Sequence, residues 1–195
     1  MLRTRVGYCG GSKANPTYYG LGDHTEAISI DFDPKVISYE NLLGYFWRAH
    51  RCGSLNTSRQ YRNAVFYRNE SQKRLAESSR AQEAKRLKLA IEDVTTEIVP
   101  VGEFTYAEGY HQKYYLTRHR DVRKFLTEIY PSSKELADST VATRLNAYLG
   151  AGMHLDWSAL LKELPSYGLP DPIRHKLEKT AKAHVGARFQ VEQGS

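Results

Sequence analysis

Tyr18, His24 and Glu26 follow one another in a glycine- and proline-punctuated stretch that begins with Arg5-Val6-Gly7-Tyr8-Cys9-Gly10-Gly11 and closes at Asp33-Pro34. Tyr61 and the group from Tyr106 to His111 add more phenols and imidazoles. Together these side chains can form a polar site on loops beside strand ends. A carboxyl flanked by phenols and partly buried has its pKa raised, because desolvation disfavours the charged form. Such a group can donate a proton near neutral pH. The alternative reading is structural: Tyr and His line a sheet edge with their polar atoms satisfied. The two cysteines, Cys9 and Cys52, suggest neither a disulfide framework nor a zinc spacing. Cys9 reads as a small packing residue. Cys52 stands near His50, Arg51 and Arg59, positive groups that can lower a thiol pKa, and is the candidate reactive thiol.

The elements that must position these groups alternate. Thr4 to Tyr8 is β-prone and ends at Gly10-Gly11. In the next strand, Glu26 to Asp33, Ile28, Ile30 and Phe32 share one face, and Pro34 ends the ladder. Ser38 is the expected N-cap of a helix carrying Tyr39, Leu42, Leu43, Phe46, Trp47 and His50 at helical spacing. A polar turn over Arg51 to Arg59, a strand over Tyr61 to Tyr67 and a long charged helix from Ser71 to about Ile91 follow. Thr95 to Pro100 reads as a strand, and Tyr106 to His119 as a loop with a short helix.

This order predicts an α+β fold with helices on one face of a mainly antiparallel sheet, on a ferredoxin-like plan. From Arg120 the pattern becomes helical. Val122, Phe125, Leu126 and Ile129 form one stripe, and Leu136, Val141, Leu145 and Leu149 another that starts at Pro131-Ser132-Ser133 and breaks at Gly150-Ala151-Gly152. A linker-like segment over Pro165 to Pro172 and a last helix over Ile173 to Val185 complete it. The expected division is 1–119 and 120–195.

The chain has 195 residues and a net charge of +6. Its positives along the 71–91 helix are interleaved with Glu77 and Glu83, the pattern of a solvated face. Salt-dependent binding to nucleic acid is therefore expected to be weak. No apolar run approaches the ~20 residues of a membrane helix, and no secretory signal is visible. A cytoplasmic setting is the expectation.

Several of these segments, in order, resemble one family. They are Arg5 to Gly11, Asn15-Pro16-Thr17-Tyr18, His24-Thr25-Glu26, Asp33-Pro34 with Ile37 to Leu43, Gln60 to Tyr67, and Tyr106 to Tyr114. They look like the peptide methionine sulfoxide reductases of the A class (MsrA), over residues Arg3 to about Leu116. The resemblance implies that Glu26 is the proton donor and that Tyr18 and Tyr61 bind the sulfoxide oxygen. It further implies a cysteine thiolate that attacks sulfur, and a thioredoxin-type or other dithiol reductant, with no cofactor or metal. The substrate would be methionine S-sulfoxide, in proteins or free.

The family places its nucleophile in a Gly-Cys-Phe-Trp motif before the Arg-Val-Gly-Tyr strand, and this sequence contains no such motif. The expected fold is thus an MsrA-like sandwich without its first strand and helix, with a C-terminal helical extension. The expectation is that the chain as written is inactive or very weak, and that a truncated reading of a longer frame is favoured over a true short form. The family's Gly-Asn-Asp segment is replaced by Ser54-Leu55-Asn56-Thr57-Ser58, and no cysteine follows Cys52. His111 is expected to orient the end of the domain. The different-class alternative is a non-catalytic module that binds oxidised methionine, or a protein partner through its helical tail.

Overall fold

The computed structural model describes residues 1–54, 58–151 and 155–193. Residues 55–57 of the expected polar turn and Gly152 of the expected helix break lie outside them. The chain forms two compact units, Met1–Glu108 and Gly109–Ser195.

The first unit mixes strands and helices. Strand β1 (Arg3–Cys9) pairs antiparallel with β2 (Thr25–Asp31) along its whole length, from Arg3↔Asp31 to Cys9↔Thr25. On its other side β1 pairs antiparallel with β5 (Phe104–Tyr106). Three residues are too few for a periodic signal, and the sequence predicts no strand there. Helix α1 (Tyr39–Arg48) starts at Ser38, whose hydroxyl accepts the Asn41 N–H at 3.2 Å, as the cap pattern predicts.

Strand β3 (Ala64–Tyr67) and β4 (Glu97–Pro100) form a separate parallel pair. This corrects the single, mainly antiparallel sheet. The connecting helix α2 (Glu70–Leu87) carries the chain back to the start of its neighbour, and such a crossover gives parallel strands. Helix α2 ends at Lys88, in the left-handed region at φ 57°, with no Gly or Pro to announce it. Between α1, α2 and the parallel pair, Leu43, Trp47, Val65, Ala76, Ala84 and Val94 form a core. A smaller core joins Tyr8, Leu21 and Ala107 to Val6 and Tyr18.

The second unit is helical: α3 (Tyr114–Thr117), α4 (Arg120–Ile129), α5 (Ser133–Asp138), α6 (Thr140–Ala151), α7 (Trp157–Glu163) and α8 (Asp171–Gln193). The expected single helix after Pro131 is two, split at Ser139, whose hydroxyl accepts the Ala142 N–H at 3.1 Å. The expected linker over 165–172 is part of the core. Leu164 and Leu169 are buried there, Pro165 opens a 3-10 turn, and Pro172 sits in the first turn of α8, where proline is tolerated. The unit begins before Arg120 because α3 packs on α6: the Leu116 N–H donates to Asn146 Oδ1 at 3.1 Å and buried Lys113 donates to Thr143 Oγ1 at 2.7 Å.

Candidate functional site

The loop from Gly11 to His24 precedes the strand that carries Glu26, and its own polar groups hold it. Both carboxylate oxygens of Asp23 accept the Ser12 N–H at 2.8 Å, and Oδ1 also accepts that of Lys13 at 3.2 Å. These bonds, that of Ser12 first, hold the Asp23 carboxyl down at about 2. His24 is buried; its Nδ1 faces the Gly11 N–H at 3.3 Å and its Nε2 lies 2.8 Å from the Lys13 carbonyl. With a backbone donor on one nitrogen and an acceptor at the other, the ring staples the two ends of the loop. At the tip, Thr17 and Gly20 bridge, and Tyr18 packs its ring edge against Tyr19.

Glu108 anchors the same loop from the end of β5. Its carboxylate accepts the Tyr8 hydroxyl at 2.6 Å and the Tyr18 N–H at 2.9 Å. A charged acceptor makes such bonds stronger than neutral ones. The Tyr106–Tyr114 motif contains Glu108 but gives no hint of this role, because its partners lie 90 and 100 residues away.

Tyr61 sits in a turn before β3, its N–H donating to the Ser58 carbonyl at 3.2 Å, and not in the strand predicted from 61 to 67. The turn is laced to β2. The Glu26 N–H donates to the Gln60 carbonyl at 3.0 Å and the Thr25 hydroxyl to the Arg59 carbonyl at 3.0 Å. Arg62 donates from Nε to Thr25 Oγ1 at 2.7 Å and pairs through its terminal nitrogen with Glu97. This lacing sets Tyr61 beside Glu26.

Gln60 joins the two side chains. Its amide nitrogen donates to Glu26 Oε1 at 2.7 Å and to the Tyr61 hydroxyl oxygen at 3.0 Å. The Tyr61 phenol also hydrogen-bonds to Tyr18, and that bond, with partial desolvation and the charge of Glu26, pushes its pKa up to about 12. Tyr18, Glu26 and Tyr61, from three separate segments, thus meet in one place. Glu26 is exposed, not partly buried as expected, because its near neighbours are the Gln60 amide and phenol edges rather than an apolar wall.

Both thiols are buried. Cys9 is 1% exposed, and burial pushes its thiol up to about 11 against the pull of Arg62 and Arg68. Cys52, also 1% exposed, lies in the core with Leu43, Trp47 and Val65. The polar sequence around Cys52 misleads because His50 turns away to the Phe46 carbonyl (2.8 Å) and to Thr96 Oγ1 (2.9 Å). Thr95 then draws the Cys52 carbonyl inward with its N–H at 2.8 Å and hydroxyl at 2.9 Å. His111 packs at a 46° tilt against Tyr110, 4.2 Å between ring centroids, in the second unit. Among the described residues, no group of three or more His, Cys, Asp and Glu is placed to hold a metal ion. No described helix is long and apolar enough to cross a membrane.

A family model described as peptide methionine sulfoxide reductase matches residues 1–145. The chain belongs to that family. The family's match thus includes Tyr18, Glu26 and Tyr61 and runs on to 145. A peptide methionine sulfoxide reductase of Drosophila melanogaster is 47% identical over 150 residues, which are 76% of this chain and 59% of that protein. Peptide methionine sulfoxide reductase A5 of Oryza sativa subsp. japonica is 35% identical over 189 residues, 93% of this chain and 67% of the relative. MsrA of Methanosarcina acetivorans is 40% identical over 144 residues, 69% of this chain and 73% of the relative. This chain therefore spans little more than half of the fly protein. Yeast Mxr1 in its reduced form shares the fold at a TM-score of 0.53 and 23% identity, over 60% of this chain and 71% of Mxr1.

Proposed function

We propose that Tyr18, Glu26 and Tyr61 form the oxygen-binding part of a methionine S-sulfoxide reductase site. Tyr18 and Tyr61 hydrogen-bond the sulfoxide oxygen and Glu26 delivers its proton. In this reaction a cysteine thiolate bonds to the sulfoxide sulfur, the protonated oxygen leaves as water, and a water then attacks the cysteine sulfur, breaking the new S–S bond so that methionine leaves and the cysteine becomes a sulfenic acid. A second thiol condenses with it, water departs, and a thioredoxin-type dithiol reduces the resulting disulfide. The reading is carried by one observation: the Gln60 amide holds Glu26 and Tyr61 together while Tyr61 bonds to Tyr18. The antiparallel trio and the parallel pair each suit one part of a ferredoxin-like sandwich. A cytoplasmic setting and a protein-bound or free substrate belong to the same proposal.

The attacking sulfur is neither Cys9 nor Cys52. A nucleophile needs access and a thiolate, and both side chains are buried. The 195-residue chain assayed with dithiothreitol and methionine S-sulfoxide is therefore expected to show no turnover above the dithiol background. Turnover that disappears in Cys52→Ser overturns the exclusion of this thiol.

A further inference from the structure

We propose that Gln60 is a positioning residue, one amide that holds the Glu26 carboxyl by one oxygen and sets which way the Tyr61 hydroxyl points. The proposal rests on the sulfoxide reading above and deepens it. Gln60 is itself held by backbone: its carbonyl accepts the Glu26 N–H at 3.0 Å, and its neighbour Arg59 accepts the Thr25 hydroxyl at 3.0 Å. From that fixed point the side-chain nitrogen lies 2.7 Å from Glu26 Oε1 and 3.0 Å from the Tyr61 oxygen. The orientation of the amide follows from chemistry. The amide nitrogen faces both oxygens, and only the NH2 group carries two donors. Both hydrogens of the NH2 group are then committed, one to each residue.

Two consequences follow for the site. With Oε1 occupied by an amide hydrogen, Oε2 is the oxygen of Glu26 left for a bound sulfoxide. With its oxygen already accepting, Tyr61 must direct its own O–H elsewhere, to Tyr18 in this structure and to a sulfoxide oxygen when one is bound. Gln60 touches neither substrate nor reacting atoms in this scheme. It acts through the pair, and losing it frees both groups to rotate.

The experiment follows the Tyr61 ring carbon that bears the hydroxyl, by NMR of the full chain labelled with 13C-tyrosine, the signal being assigned with Tyr61→Phe. Gln60→Met removes the amide hydrogens at similar length, and Gln60→Glu keeps the shape but not the donors. Both are expected to displace the Tyr61 signal in ligand-free protein while leaving that of buried Tyr8 in place. Both are also expected to weaken binding of methionine S-sulfoxide by about tenfold, the scale of hydrogen bonds to charged and neutral partners lost together. In the Tyr61→Phe background the loss from Gln60→Met is expected to shrink, because the two act through one contact. A Tyr61 signal unmoved in either variant overturns the proposal, as do losses that simply multiply. A parent protein whose Tyr61 signal ignores methionine S-sulfoxide sinks the sulfoxide reading instead, and the ligand-free spectra still decide for or against Gln60.

Discussion

A phenol half open to water, Tyr61 at 50% exposure, is nonetheless held in its protonated form by its surroundings. Its pKa stands at about 12 rather than 10.0, through the hydrogen bond to Tyr18 first, then desolvation and the Glu26 charge. A folded-state value raised above the unfolded one favours the protonated form. The contribution to stability is complete below about pH 10 and disappears as pH climbs through about 12. In a 13C-tyrosine titration, Tyr61 is expected to titrate near 12 in the parent and to move back towards 10 in Tyr18→Phe. A titration unchanged in Tyr18→Phe refutes the bond. The same phenols were legible in the sequence because their motifs are local. Gln60 and Glu108 were not, since Gln60 acts through Glu26, 34 residues back, as well as its neighbour Tyr61, and Glu108 through partners 90 and 100 residues distant.

The elements divide the work between a frame and a clamp. Strand β1 is the frame, paired on both sides and entering the loop that bears Tyr18. Its pairing with β5 brings Glu108 to that loop, and the close fit depends on Gly7, where a Cβ would meet the Thr105 carbonyl oxygen and the Phe104 ring. Gly7→Ala is expected to destabilise the protein by about 1–3 kcal/mol, the usual cost of overpacking. Denaturant unfolding checks the cost, and faster amide exchange along β1 and β5 locates it.

Strong periodicity made β2 and α1 readable, and Ser38 marked where α1 begins. The parallel partner of β3 was not readable, because local pattern does not encode which strand a crossover returns to. The linker misread has the same origin: Pro165 and Pro172 look like breaks, yet Leu164 and Leu169 between and beside them fill a core.

At the scale of the molecule, each unit has a core of its own. In the second, Leu116, Val122, Leu126, Leu145, Leu160 and Leu164 are buried together, and stripes of this kind make its helical character plain in the sequence. Leu145→Ala is expected to cost about 2–5 kcal/mol, since the cavity it leaves lies among close-packed leucines. Hydrogen exchange should place that loss in the helices α3 to α8, and uniform loss over β1 and β2 would argue against separate cores.

The most direct measurement is a calorimetric titration of the chain with the two epimers of N-acetylmethionine sulfoxide amide. The S-sulfoxide is expected to bind and the R-epimer to bind more weakly, with Tyr18→Phe and Tyr61→Phe each reducing S-sulfoxide affinity by about tenfold. Equal binding of both epimers, or S-sulfoxide affinity untouched by loss of either phenol, would contradict an oxygen-binding site built from Tyr18, Glu26 and Tyr61.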